Sequence, residues 1–121
     1  MNGVSQKKFD AADEVRTPDK ARIEVVDLGA AKVMRMTAQP GWRWSESVKP
    51  VAGTESCRAH HIGVVVAGGL HVRHDDGTEQ DLVPGAAYVV EPGHDAWVTS
   101  SDPFVAFEFD SATVATYAKP H

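Results

Sequence analysis

The sequence predicts an all-β protein, an antiparallel sandwich or barrel with a polar N-terminal arm and a short C-terminal helix. About ten short runs of β-branched, aromatic and alternating apolar residues follow the arm. Turn signals separate these runs roughly every 8 to 12 residues, the spacing typical of sandwiches and barrels. Strands do not alternate with long amphipathic helices, so the pattern does not indicate a parallel α/β sheet.

The arm covers residues 1–20 and precedes one domain over residues 21–121. Apolar patterning predicts strands over residues 22–28, 32–37, 42–44, 61–67, 70–74, 81–83, 86–90, 96–99 and 105–109. The run from 61 to 67 is almost wholly apolar, which is typical of a buried strand. Residues 49–54 contain Pro50 and Gly53 and are predicted to form a loop. Residues 111–118 could be helical, with Ser111 as the N-cap.

Composition and charge narrow the function classes. The 121 residues suit one ordinary domain; 24% of them are charged, and the formal net charge is −5. The lack of a Lys/Arg cluster argues against nucleic acid or an anionic membrane as the main partner. Apolar runs fall short of the ~20 residues of a membrane span. A single cysteine cannot form an internal disulfide, so we expect a cytoplasmic, reducing location.

The segment ESCRAHH, residues 55–61, concentrates side chains that bind metals. It holds Glu55, the only cysteine of the chain (Cys57), and the histidines His60 and His61. Thiolate and imidazole suit Zn²⁺, Cu or Fe better than Ca²⁺ or Mg²⁺. In an extended chain, residues 55, 57 and 61 point to one side and His60 to the other. In the alternative interpretation Cys57 packs as a small apolar residue and His61 forms a hydrogen bond inside the barrel.

A second pattern lies further along the chain, where Gly85 is followed by five residues and then by EPG, residues 91–93. This spacing resembles the second motif of the cupins, the small jelly-roll barrel family, with a glutamate in place of the first proline. In the first cupin motif a glutamate is followed by six residues and a glycine, and here His61 takes that place before Gly68. The resemblance covers roughly residues 40–110, extends to small bacterial single-domain cupins, and implies a jelly-roll (cupin) barrel.

The resemblance also implies a set of metal ligands. The two histidine positions of the first cupin motif fall on Glu55 and Cys57, and the glutamate position falls on His61. The last histidine position falls on Ala96, which cannot bind a metal, and His94 is the nearby candidate substitute. We therefore expect a remodelled zinc, copper or iron site of Cys57, His61 and His94, with Glu55 as a fourth candidate ligand.

Three tryptophans and one charged loop indicate where an organic ligand could bind. Trp42, Trp44 and Trp97 form either an apolar pocket wall or packing in the core or a dimer interface. In the cupin interpretation Glu91 lies at the barrel mouth, where its side chain could orient the imidazole of His94. The alternative for this loop is a solvated turn.

These observations favour a small binding protein whose cavity takes a small molecule, with or without a divalent transition metal. The alternative is a metal-dependent enzyme of the oxygenase, isomerase or lyase type, which cupins often support; a structural barrel with an empty interior is the third interpretation. Nucleophilic catalysis is disfavoured because Cys57 and His61, four apart in extended chain, should not touch. The arm and unpaired strand edges favour a homodimer.

Overall fold

The computed structural model describes residues 3–119, and residues 1, 2 and 120 and the terminal His121 lie outside them. The strands of this range are β1 (Glu14–Arg16), β2 (Ala21–Asp27), β3 (Lys32–Ala38), β4 (His61–Ala67), β5 (Leu70–His74), β6 (Glu79–Leu82), β7 (Ala87–Val90), β8 (His94–Val98) and β9 (Phe104–Glu108). The helical elements are short: a 3-10 turn at Phe9–Ala11, α1 (Trp44–Ser47), α2 (Lys49–Ala52) and α3 (Ser111–Thr116). The all-β prediction is confirmed.

The strands form two antiparallel sheets. One has six strands in the order β1-β2-β3-β9-β4-β7, and the other has three in the order β6-β5-β8. The two sheets do not join into a closed barrel, so β1 and β7 are the edge strands of the larger sheet, and β6 and β8 are those of the smaller one. The result is a cupin-like barrel whose sheets are not closed.

One apolar core fills the space between the sheets and includes side chains from both. On β3 the alternation of a half-buried strand places Met34, Met36 and Ala38 inside. The largest fully buried side chains are Trp42, Trp44, Phe104, Ile23, Met34, Val48 and Val114. Burial of each large apolar side chain contributes roughly 1.5–3 kcal/mol, so this group is a main source of stability.

Two predicted elements around the first tryptophans are wrong. Residues 42–44 do not form a strand, because Arg43 makes only a single bridge, to Trp97, and α1 begins at Trp44. The predicted loop over 49–54 contains α2, which has proline in its first turn and ends at Gly53 in the left-handed region (φ 75°). Alternation over three residues cannot distinguish a strand from the start of a helix.

Strands β4 and β9 differ in detail from their sequence patterns. β4 has two different faces, since Ile62 and Val66 are 41% and 51% exposed although the run was expected to be buried. In β9 the side chains of Ala106 and Glu108 are buried, and those of Val105 and Phe107 lie on the outer, half-buried face. The helix after it is capped by Asp110 rather than by Ser111, because the Asp110 carboxylate accepts a hydrogen bond from the N–H of Thr113.

The first 20 residues include β1, which pairs with β2. The guanidinium of Arg16 is buried and donates hydrogen bonds to the carbonyl oxygens of Val114, Ala115 and Tyr117. These carbonyls lie at the end of α3, where backbone acceptors lack helical partners. Arg16 therefore holds the C-terminal helix, and with it the Tyr117 ring, against the barrel.

Candidate metal centre

Cys57, His61 and His94 come together inside the barrel. One donor atom from each lies within 4.8 Å of the other two, and all three side chains are buried. Sγ of Cys57 is 3.7 Å from Nε2 of His61, and the two imidazole rings meet edge to face with centroids 5.1 Å apart. This is the cluster that the sequence predicted by residue type.

A backbone bridge brings Cys57 to this position. The N–H of Cys57 donates to the carbonyl oxygen of His94, and its own carbonyl accepts from the N–H of Gly93; both hydrogen bonds are 2.7 Å long. Cys57 is thereby fixed beside the start of β8, while β4 begins only at His61. The chain between them is not a continuous strand, and the prediction that Cys57 and His61 do not touch is therefore wrong.

Glu108 fixes the orientation of the His61 ring. Nδ1 of His61 lies 2.6 Å from Oε1 of Glu108, and because a carboxylate can only accept, Nδ1 carries the hydrogen. Nε2 is then the atom turned toward Cys57. The other oxygen of Glu108 accepts a hydrogen bond of 2.6 Å from the hydroxyl of Tyr88. A carboxylate behind an imidazole is the arrangement that orients histidine ligands in metalloproteins.

His94 is oriented by a backbone group. Its Nδ1 lies 2.8 Å from the carbonyl oxygen of Glu91, so Nδ1 donates there and Nε2 is the ring nitrogen left for the cluster. Glu91 was expected to orient His94 through its side chain, but its backbone carbonyl does so instead. The Glu91 carboxylate is 66% exposed and lies 3.6 Å from Nε2 of His60. The ring of Tyr117 meets that of His61 edge to face at 5.2 Å and closes another side of the cluster.

The electrostatics of the cluster favour a thiolate. Burial raises the pKa of Cys57, but hydrogen bonds from His61 and His94 outweigh it and lower this pKa to about 6. Burial lowers the pKa of His61, but the charge of Glu108 and the contact with Cys57 outweigh it and raise this pKa to about 10. Without a metal, the pair therefore exists as thiolate and imidazolium at neutral pH.

The remaining predicted ligand lies elsewhere. The Glu55 side chain is 95% exposed and pairs with Nζ of Lys49 over 3.3 Å. His60 also lies apart from the cluster, with Nδ1 2.8 Å from a carboxylate oxygen of Asp110. Glu55 is therefore not one of the converging donors, because its carboxylate lies in solvent beside Lys49.

The three tryptophans separate into two environments. Trp42 and Trp44, each 2% exposed, line a cavity of about 30 Å³ together with His61 and His94. Trp97 does not join them: its ring stacks on His71, with centroids 4.8 Å apart, and carries the guanidinium of Arg43 4.3 Å from its centroid. The predicted pocket wall is therefore a small cavity behind the cluster, and Trp97 lies outside it.

Glu108, Tyr88 and Tyr117 are site residues that sequence reasoning missed. Glu108 is 4% exposed, and a lone carboxylate at an inward position of an apolar strand was the signal that could have indicated it. Tyr88 and Tyr117 carry no comparable signal, since aromatic residues on a strand and on a helix are ordinary core components.

Solved structures similar to this chain include cupin-fold proteins. KdgF from Halomonas sp. is 22% identical, with a TM-score of 0.61 over 88% of this chain and 94% of that one. The polyketide cyclase RemF from Streptomyces resistomycificus is 12% identical, with a TM-score of 0.62 over 88% and 78%. Fe(II)-HppE with an alternative substrate is 11% identical, with a TM-score of 0.58 over 88% of this chain and 60% of that one. At these identities the likeness establishes a cupin-like fold and not an activity.

Neither a protein-family model nor a curated protein matches the chain. Within residues 3–119, none of the helices has the length and apolar character needed to cross a membrane.

Proposed function

We propose that this protein is a metal-binding, cupin-like barrel in which Sγ of Cys57, Nε2 of His61 and Nε2 of His94 hold a divalent transition metal. The observation that carries this proposal is the convergence of the three buried donor atoms within 4.8 Å of one another. One thiolate and two imidazoles are the donor set of zinc, copper and iron sites, with zinc or copper preferred. The ligand set leaves out Glu55, which is solvated.

The surroundings of the donors support this proposal. Glu108 and the carbonyl of Glu91 each accept a hydrogen bond from the Nδ1 atom of one histidine, so Nε2 is the nitrogen that each ring presents to a metal, and at His61 the metal displaces the Nε2 proton. The thiol of Cys57 ionises at a pKa of about 6, and a thiolate is the form that binds metals. Three protein ligands leave one coordination position open, as in catalytic zinc sites rather than structural ones.

Cobalt substitution tests the ligand set directly. The metal-free protein is titrated with Co²⁺, and a thiolate-to-cobalt charge-transfer band is expected because Cys57 is a ligand. Cys57→Ser should abolish this band and His61→Ala should weaken cobalt binding. His60→Ala is the matched control because His60 neighbours the site without facing it, and this variant should bind as the wild type does. A wild-type protein that takes up no metal near neutral pH would refute the proposal.

A small organic molecule would bind where the two sheets fail to meet. A groove of about 610 Å³, within the roughly 300–1,000 Å³ range of ligand pockets, lies between β6 and β7. It shares four lining residues with the inner cavity: Val72, Leu82, Tyr88 and Val90. None of the described residues that line it is Lys or Arg, whereas Asp76, Glu79, Asp81 and Glu91 are among them. We infer that the groove takes a neutral or cationic molecule with an apolar body.

Matched amphiphiles test this part of the proposal. An alkyltrimethylammonium ion and an alkylsulfonate of the same chain length are titrated separately and followed by NMR. The cation should shift backbone resonances of β6 and β7, and Gln80→Trp should block it by filling the groove, whereas Val83→Trp, outside the groove lining, should not. Tighter binding of the sulfonate would contradict the inferred ligand class.

A metal-dependent enzyme is the second candidate function, favoured by the open coordination position. In such an enzyme the residues of this chain would bind the substrate in the groove, and the Glu108–Tyr88 pair would hold a proton next to His61. The two candidates differ in whether a groove ligand reaches the metal. An enzyme predicts that ligands of the groove alter the visible spectrum of the cobalt-loaded protein, whereas a binding protein predicts an unchanged spectrum.

A further inference from the structure

Two buried hydrogen-bond donors inside the barrel have no acceptor. Among residues 3–119, the only buried side-chain nitrogen or oxygen atoms without a hydrogen-bond partner are Nε1 of Trp42 and Nε1 of Trp44. Both indoles are 2% exposed, so bulk water does not satisfy them. An indole N–H can only donate, so each needs an acceptor.

Unpaired buried donors are rare in folded proteins because they lose their hydrogen bonds to water and gain nothing in return. One such group is an exception that calls for an explanation. Here there are two, and they belong to neighbouring side chains that line the same cavity.

The size of the cavity limits what the acceptor can be. Its volume is about 30 Å³, while a water molecule needs roughly 10–15 Å³ of such space. By this measure two or three water-sized groups fit at most, and a larger organic group does not. Neither indole N–H donates to a protein acceptor among residues 3–119, although the oxygens of Glu108, which accept from His61 and Tyr88, line the same cavity.

We propose that this cavity is a binding site for one small hydrogen-bond acceptor, a water-sized oxygen ligand or a monatomic anion, which Nε1 of Trp42 and Nε1 of Trp44 hold. His61 and His94 line the same cavity. In the metal-loaded protein the acceptor therefore occupies the open coordination position, and this second part rests on the proposed function. The two tryptophans are positioning residues that select what the metal binds besides the protein.

The tryptophans themselves report on this site. The chain has only three, and Trp97 lies outside the cavity, so one indole serves as an internal control. In protein with ¹⁵N-labelled indoles, three Nε1–H resonances are expected and can be assigned with single Trp→Phe variants. Metal-free and zinc-loaded samples are compared, with water and fluoride as the two probes.

The expected result is specific to the buried pair. In the metal-free sample the N–H protons of Trp42 and Trp44 should show dipolar cross-peaks to a long-lived water molecule. In the zinc-loaded sample fluoride should shift both resonances in a saturable way and leave that of Trp97 in place. Trp44→Phe should weaken fluoride binding roughly threefold to tenfold, the loss of about one hydrogen bond, and Trp97→Phe should not change it.

The outcomes separate this inference from the proposed function. If Trp42 and Trp44 respond neither to water nor to fluoride, the inference is overturned even when cobalt binding confirms the metal site. A water contact without any metal uptake would support the acceptor site and refute the proposed function. A fluoride shift confined to Trp97 would also overturn the inference. The water and fluoride responses are read on the wild-type protein, and Trp97→Phe, outside the cavity, identifies the resonances of the buried pair by elimination, so the test holds even if Trp42→Phe or Trp44→Phe fails to fold.

Discussion

Nδ1 of His61 and Oε1 of Glu108 lie 2.6 Å apart in the interior, on neighbouring strands of the larger sheet. The contact determines which nitrogen of His61 faces Cys57, and it supplies the negative charge that favours a protonated His61 in the absence of metal. The proposed metal ligand and the carboxylate that orients it are therefore 47 residues apart in sequence but adjacent in the sheet.

Replacement of Glu108 by glutamine should weaken metal binding without removing a ligand. Glutamine keeps the shape but loses the charge, and loss of such a supporting partner typically costs 10–100-fold in metal affinity. In the metal-free protein the substitution also removes the carboxylate partner of a buried imidazolium, which then keeps only the Cys57 thiolate, so the free energy of unfolding should fall by at most about 3–5 kcal/mol. Competition with a chelator and urea denaturation measure the two effects.

Glu55→Gln is the matched control for that experiment, because the Glu55 side chain is 95% exposed and remote from the cluster. Glu55→Gln should change neither the metal affinity nor the free energy of unfolding. Equal loss of metal affinity in both variants would show that Glu108 does not act through His61.

The pH dependence of the metal-free protein should report the Cys57–His61 pair. The folded pKa of Cys57, about 6, lies below its ordinary 9.0, so its contribution to stability is present above pH 9.0 and is lost as the pH falls through 6. The folded pKa of His61, about 10, lies above 6.5, so its contribution is full below pH 6.5 and is lost as the pH rises through 10. The Cys57 contribution thus rises with pH between about 6 and 9.0, and the His61 contribution falls between 6.5 and about 10. The two slopes cancel between 6.5 and 9.0, so stability should be flat there and should decline from pH 6.5 toward 6 and from pH 9.0 toward 10.

Thiolate absorbance in the ultraviolet, followed as a function of pH, gives the midpoint for Cys57 directly. The wild-type midpoint should lie near 6, and His61→Asn should move it upward because burial then acts without the imidazolium. A wild-type midpoint near the ordinary thiol value of 9.0 would contradict the proposed ion pair.

Local patterns predicted most of the strands. Alternation and turn residues identified β2, β3, β4 and β5 to within a residue or so, because both signals act over a few neighbouring positions. Such patterns do not contain the sheet order, in which β9 lies between β3 and β4. The open side between β6 and β7 follows from that order and was not predicted.

The difference between local patterns and long-range pairing also explains which residues of the candidate site were predicted. Cys57, His61 and His94 were identifiable because thiol and imidazole groups are common metal ligands, which can be recognised from residue type alone. Glu108 and Tyr88 become part of the site only through pairing, since both lie opposite Gly63 on the two strands that flank β4. Their role depends on long-range register, which a single sequence does not reveal.

Gly63 should be essential to this arrangement for steric reasons. A Cβ atom at this position would collide with the carbonyl oxygen of Phe107, and it would lie 2.8 Å from the Tyr88 hydroxyl and 3.0 Å from Cγ of Glu108. Gly63→Ala should therefore lower the free energy of unfolding by about 1–3 kcal/mol and weaken metal binding by displacing Glu108. Thermal denaturation and cobalt titration test both. Gly3→Ala, where an added methyl group meets no atom within 4 Å, is the control, and identical behaviour of the two variants would be evidence against this reasoning.

The outer face of β4 and β7 should form a homodimer interface. Ile62, Val66 and Val89 are 41%, 51% and 59% exposed there, and Ile62 lies directly opposite Val89 in the sheet. Elsewhere on this face Phe9 of the arm covers Phe107, with ring centroids 5.1 Å apart, but these three side chains have no such cover.

A contiguous apolar face of this kind is typical of an interaction site, and a second copy of the chain supplies a matching surface through a two-fold axis. Light scattering at micromolar concentration should therefore give twice the 13.0 kDa of the chain. Val89→Glu should shift the protein to monomers, because a charge buried at the interface is unpaired. Val83→Glu places the same charge at a residue that is 52% exposed but lies off this face, so it should remain dimeric. A wild-type particle of 13.0 kDa would refute the dimer, and dissociation by Val83→Glu alone would place the interface elsewhere.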